Sequence, residues 1–136
     1  MMDMIDRGVD MYIFDATDIK SCEEDDVLIV ALCDDAVDPQ AFIIITRLDE
    51  ENNATVEEGV GLQTAETAYE VTNAIQSVSV SENRLEVEIK PGHWQHFNGK
   101  AVVVELKGKA ADDKSISLLK DSLRKLLEGS SILVDL

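Results

Sequence analysis

Two prolines, two cysteines, two histidines and one tryptophan are all that a chain of 136 residues carries of these types, and aromatic residues make up only 4% of it. Each scarcity removes a class of protein. With so little proline and 45% hydrophobic residues, the chain has the apolar content of a globule rather than of a disordered linker. Two thiols fall short of a structural zinc set. Nor do Cys22 and Cys33 fit a disulfide, because an extended Val27–Cys33 between them holds them beyond bridging distance. Cys33 reads as a small buried apolar residue and Cys22 as a surface or turn position. The longest unbroken apolar run is seven residues, Val27 to Cys33. A bilayer-spanning helix needs about 20. The start, "MMDMIDRGVD", has no basic stretch leading into an apolar one, so no secretory signal is expected and the reading is cytoplasmic.

Positive charge is scarce as well, and unevenly so. The formal net charge is −16. Through Ile89 there are 22 acids against four Lys or Arg, a balance of −18; from Lys90 onward there are six against eight, a balance of +2. A field of that sign repels nucleic acid and anionic membranes and draws basic proteins inward. Neither nucleic acid nor membrane is therefore expected as a partner. Solubility alone is the plainest use of such charge.

What is present is mostly strand. "MYIFDAT" opens an extended segment that runs into an acidic turn at Glu23 to Asp26. "VLIVALC" and "AFIIIT" are apolar on both parities and are expected as central strands covered on two faces, paired as an antiparallel hairpin across "DDAVDPQ". "DEENNATVEEGVGLQTAET" reads as a long polar surface loop with a short strand near Val60 to Leu62. Beyond it comes a hairpin turning at "SEN", whose second arm alternates Leu85, Val87 and Ile89 with Glu86, Glu88 and Lys90. "AVVVELKG" adds a strand. Apolar residues at Ile116, Leu119, Leu123, Leu126 and Leu127 then predict one long helix, capped by an aspartate at 112 or 113 and closed by Gly129. "SILVDL" either pairs as a last strand or packs. The fold class expected is α+β, a mainly antiparallel sheet with one long C-terminal helix laid on a face. Residues 1–10 are read as a flexible N-terminal segment and 11–136 as a single domain.

Catalytic chemistry finds little to work with. No serine sits in a Gly-x-Ser-x-Gly elbow, no Gly-rich loop ends in a lysine, and "GVG" at Gly59 to Gly61 is a bare Gly-x-Gly. His93 and His96 in "PGHWQHFNG" have the spacing that joins two imidazoles on one helical turn, which makes a small metal-binding enzyme the least favoured reading. Pro91-Gly92 and Asn98-Gly99 bracket that stretch as a loop, with Trp94 and Phe97 pinning it to the core. Carboxylates come in solvated runs rather than in a dry pair, and none has the order of a calcium loop. The expectation is a protein that is not an enzyme, with no catalytic residue, no metal and no cofactor.

Recognition remains. The acidic runs fall where strands end, so they can gather on a rim of the sheet: Glu23, Glu24, Asp25 and Asp26, then Asp34 and Asp35, then Asp49, Glu50 and Glu51. Charge gathered so speeds association with a basic protein, and an apolar anchor must supply the affinity. Among Tyr12, Tyr69, Phe14, Phe42, Phe97 and Trp94, the last is the preferred anchor. An acidic nucleic-acid mimic or a regulatory adaptor would use the same charge less selectively. Pairing of edge strands into a homodimer stays open.

The order of segments carries a resemblance. "DDVLIVALCDD" (Asp25 to Asp35) is followed by a second strand ending near an arginine (Phe42 to Arg47) and by a "S-x-N-x-L" hairpin turn (Ser81 to Leu85) ahead of a leucine-spaced helix. This pattern, over about residues 11 to 128, resembles the bacterial polymorphic-toxin immunity proteins, the family numbered ten in that series. The resemblance implies a small α+β, cytoplasmic binding protein that neutralises a cognate toxin by covering or distorting its working surface. It carries over no catalytic residue. A toxin with a basic active-site surface would suit a −16 inhibitor.

Overall fold

The computed structural model describes residues 11–136; the flexible segment read over residues 1–10 lies outside the described residues. The strands are β1 (Met11–Ala16), β2 (Asp18–Glu24), β3 (Val27–Cys33), β4 (Phe42–Arg47), β5 (Val60–Thr64), β6 (Val71–Thr72), β7 (Ile75–Ser81), β8 (Arg84–Ile89), β9 (Ala101–Leu106) and β10 (Leu133–Asp135). A one-turn helix α1 (Trp94–Phe97) and a 15-residue helix α2 (Asp113–Leu127) complete them, with short 3-10 turns at Val56–Gly59, Pro91–His93 and Gly108–Ala111. The class is α+β, as expected.

The strands divide between two five-stranded sheets rather than forming one. One sheet is wholly antiparallel in the order β2-β3-β4-β5-β6. The other, β1-β9-β8-β7-β10, is mixed, because β1 runs parallel to β9 and β10 parallel to β7. The polypeptide crosses from one sheet to the other at Thr17, whose amide donates to the Cys33 carbonyl at 3.0 Å. The inward faces of both sheets and the apolar stripe of α2 share one core that includes Phe14, Val30, Leu32, Ile43, Ile45, Leu62, Val78, Leu85, Val104, Leu119 and Leu123.

Local rules explain the ends of the elements. Asp112 caps α2, its Oδ1 accepting the Ser115 amide at 2.7 Å, and Gly129 just past the C-terminus takes φ 82, the left-handed turn that glycine allows. Of the two aspartates expected as caps, Asp112 takes the role, and Gly129 follows the helix end as expected. Asp25 (φ 52) and Asp26 (φ 68) form the two-residue turn between β2 and β3; both φ are positive, as in a type I′ turn. Glu82 at φ 56 turns β7 into β8.

Three expectations are corrected. Cys22 is in no turn but inside β2, a strand whose polar "DIKSCEE" conceals it, and Cys33 is half-buried at the end of β3 rather than buried. The two thiols are free, and the register sets Cys22 against Ile29 and Cys33 against Asp18, four pairs apart. "HWQH" is helical after all, because Pro91 opens a 3-10 turn that passes straight into α1. Most consequential, β3 and β4 are not buried on both faces. Val30, Leu32, Ile43 and Ile45 are at most 2% exposed, whereas Val27, Ile29, Ala31, Phe42 and Ile44 on the opposite face are only half-buried and stand outside the core.

Candidate docking surface

Cross-strand pairs define the antiparallel sheet's two faces, since directly paired residues point the same way. The inner face carries Ser21, Val30, Ile45 and Leu62 in one row across four strands. Helix α2 seats on it, with the Ser21 hydroxyl 2.7 Å from that of Ser122. Arg47, paired with Leu28, belongs to this face too. Its Nη1 reaches the carbonyls of Lys125 at 3.4 Å, Leu126 at 3.2 Å and Glu128 at 2.7 Å, while its Nε holds Asp49 at 3.0 Å. One guanidinium thus satisfies the open carbonyl end of α2 and anchors the loop that leaves β4.

The outer face is different in kind. Ile29 pairs with Cys22 and Thr46, Ala31 with Lys20 and Ile44, and Cys33 with Asp18 and Phe42. It is an apolar band with polar groups at its margins. At its far side Gly61 leaves room for the Glu70 side chain, which accepts the Thr46 hydroxyl. A Cβ at position 61 would meet the Glu70 carboxyl carbon at 2.3 Å, so the absent side chain is what lets the carboxylate lie there.

Each predicted acid can now be placed. Glu23, Glu24, Asp25 and Asp26 sit at one end of the sheet, and because β4 runs back toward that end, Asp49, Glu50 and Glu51 follow at the same end. Asp34 and Asp35 lie at the other end of β3, roughly 20 Å away for a seven-residue strand at about 3.3 Å per residue. The acids therefore form two groups at opposite ends of the band, not one rim. A cleft of about 400 Å³ opens at the first end, between Val27, Thr46, Leu48, Glu50, Glu58 and Glu70. Asp18, paired with Cys33, belongs to the second.

These loops are held, not loose. Asp34 Oδ1 accepts the amides of Gln40 at 3.0 Å and Ala41 at 3.1 Å, and Asp35 Oδ1 accepts that of Val37 at 2.9 Å. The Ala41 amide above all, with help from Gln40, holds the Asp34 carboxyl below its ordinary value. Glu58 Oε1 accepts the amides of Ala54 at 3.1 Å and Thr55 at 3.0 Å. Glu57 takes the Ser131 hydroxyl and its amide, tying the C-terminal segment to the 3-10 turn before β5; the hydroxyl bond is the main reason its carboxyl is held low. The surrounding charge is felt by neighbours. Burial, and then the carboxylates of Asp18, Asp34 and Asp35, push the Cys33 thiol up. Burial likewise raises the Tyr12 hydroxyl, with Glu66 and Asp34 adding to it against a bond with the Phe42 backbone.

Trp94 is placed elsewhere, between β8 and β9 of the mixed sheet. Its indole Nε1 donates to the Ile89 carbonyl at 2.8 Å, the Lys100 ammonium lies 4.7 Å over its ring, and the side chain packs on the core beside buried Phe97. The ring is committed to holding its own loop. The His93 and His96 rings stand 5.6 Å apart, and the His93 Nδ1 is buried without a hydrogen-bond partner. Among the described residues no group of three or more His, Cys, Asp or Glu side chains is arranged to hold a metal. No helix among them is long and apolar enough to cross a membrane.

Reasoning from sequence missed Arg47 as a positioning residue. A signal was there: it is one of only four basic residues before Lys90, and it ends an apolar strand. Comparison with known proteins finds no family model that matches the chain and no curated protein similar to it in sequence.

Proposed function

We propose that this chain is an immunity protein, which binds a cognate bacterial toxin and neutralises it by protein–protein contact rather than by catalysis. The observation that carries the reading is the placement of charge. Acidic loops stand at both ends of a single strand pair, and several of their carboxylates are spent on fixing the loop backbone. A preordered negative surface loses little freedom on binding and accelerates encounter with a basic partner. The resemblance to the tenth immunity family supports the same reading. The "DDVLIVALCDD" unit that carries it is β3 with one acidic pair at each end.

Co-expression with the product of the adjacent reading frame tests the proposal. Rescue of host growth together with co-purification as a 1:1 complex is the expected result. A harmless neighbour that forms no complex would contradict it. Binding to many basic proteins, abolished by modest salt and favouring none, would instead point to a nucleic-acid mimic or regulatory adaptor.

A further inference from the structure

The outer face of the antiparallel sheet is unusual for a solvated one. An antiparallel sheet with one wet face alternates apolar with polar residues along each strand. Here the wet parity of β3 is Val27, Ile29, Ala31 and Cys33, and that of β4 is Phe42, Ile44 and Thr46. These half-buried side chains form a contiguous apolar band outside the core. Apolar surface left partly open to solvent and rimmed by polar groups marks an interaction site.

Charge decides between occupants. The band ends in Asp25, Asp26, Asp49 and the cleft glutamates on one side and in Asp18, Asp34 and Asp35 on the other. A second copy laid on it would bring a like-signed surface of a −16 chain against these acids, which costs free energy. A basic partner removes that repulsion.

Resting on the toxin-binding reading above, we infer that the outer face of β3 and β4 is the docking surface for the toxin, and that the toxin presents an apolar patch flanked by Lys or Arg groups about 20 Å apart. Ile29 and Ile44 are the central anchors, and Phe42 stands at the Asp34 end of the band. The two acidic groups flank them, one at each end of the band, and the cleft between Glu50, Glu58 and Glu70 takes one of the partner's cationic side chains.

The experiment measures the affinity of the full chain for the adjacent-frame product, comparing wild type with Ile29→Lys and Ile44→Lys. Each substitution removes apolar contact and places a cation before a basic partner. Weakening by about 30-fold or more is expected. Ser79→Lys, on the outer face of the other sheet, should bind as wild type does. Thermal melts check folding, and where a lysine variant fails to fold, Ile44→Ala replaces it with an expected loss of about 10-fold. Wild-type affinity in folded Ile29 and Ile44 variants would overturn this docking face while leaving the toxin reading in place. No complex with wild type would overturn both. Sedimentation of the chain alone as a dimer, made monomeric by Ile44→Lys, would assign the face to a second copy and overturn the inference.

Discussion

Arg47 and Asp34 carry more of the architecture than their exposed neighbours. Arg47 is 16% exposed at its side chain and serves three carbonyls at the end of α2 as well as Asp49. Hydrogen bonds to a charged group are worth about 1.5–3 kcal/mol, so Arg47→Ala should lower unfolding stability by about 2 kcal/mol in denaturant titration. Arg47→Lys should recover only part of it, because a single ammonium can take the carbonyls that Nη1 takes but has no second nitrogen to hold Asp49 at the same time. Asp34 makes a pH prediction. Its folded-state value lies below the unfolded value of 3.8, so its stabilising effect is complete above 3.8 and is lost as pH falls below that. Asp34→Asn keeps an oxygen for the Gln40 and Ala41 amides but no longer titrates. Melts taken from about pH 5 to about pH 2.5 should therefore fall less steeply in this variant than in wild type. An equally steep fall in the two would remove Asp34 from the acid-sensitive groups.

At the level of elements, what the sequence disclosed depended on how local the cause was. Helix α2 was legible to its caps because Asp112 and Gly129 act within a few residues of themselves. The β7–β8 hairpin and the alternation of Leu85, Val87 and Ile89 were legible for the same reason. Strand β2 was less so: at the sheet's edge it turns Ile19, Ser21 and Glu23 toward α2 and the core, and "DIKSCEE" shows no apolar period. The parallel pairing of β1 with β9 joins residues some 90 positions apart and leaves no local trace. Apolarity on both parities of β3 and β4 predicts cover on two faces, yet only the inner face is fully buried. Sequence cannot distinguish a layer supplied by the same chain from one supplied by another. The β2–β3 turn offers a test at this scale. Asp25 and Asp26 both hold positive φ, which Asn and Gly adopt more readily. Replacing the pair with Asn-Gly should raise stability by about 1 kcal/mol in thermal or denaturant unfolding. A loss of stability would show that the turn is not of the type I′ kind.

Across the whole molecule, both sheets contribute to the core, and the acidic runs gather at the two ends of the antiparallel one. The balance of −18 through Ile89 covers all of the antiparallel sheet, and the +2 after it covers β9, α2 and β10. Because the acids stand at two ends of the band, each end should contribute separately to encounter. Reversal of Asp25 and Asp26 to lysine, or of Asp34 and Asp35, should each slow association with the proposed toxin partner several-fold at low salt. Reversal of all four should slow it further, and the difference should shrink as salt rises. Unchanged association rates at low salt would confine these acids to solubility and loop structure.

The chain carries its own probes of the proposed docking face, since Cys22 and Cys33 both lie on the outer face of the sheet. The first measurement is their alkylation by a small neutral reagent, followed by mass spectrometry, in the free protein and in the complex with the adjacent-frame product. At a pH of about 8.5 the raised Cys33 thiol is still largely protonated, so its rate is compared only with its own, free against bound. Both cysteines should react in the free chain, and complex formation should slow both at least 10-fold. A tight 1:1 complex in which the two thiols react as fast as before would contradict it, and would move the toxin to another surface.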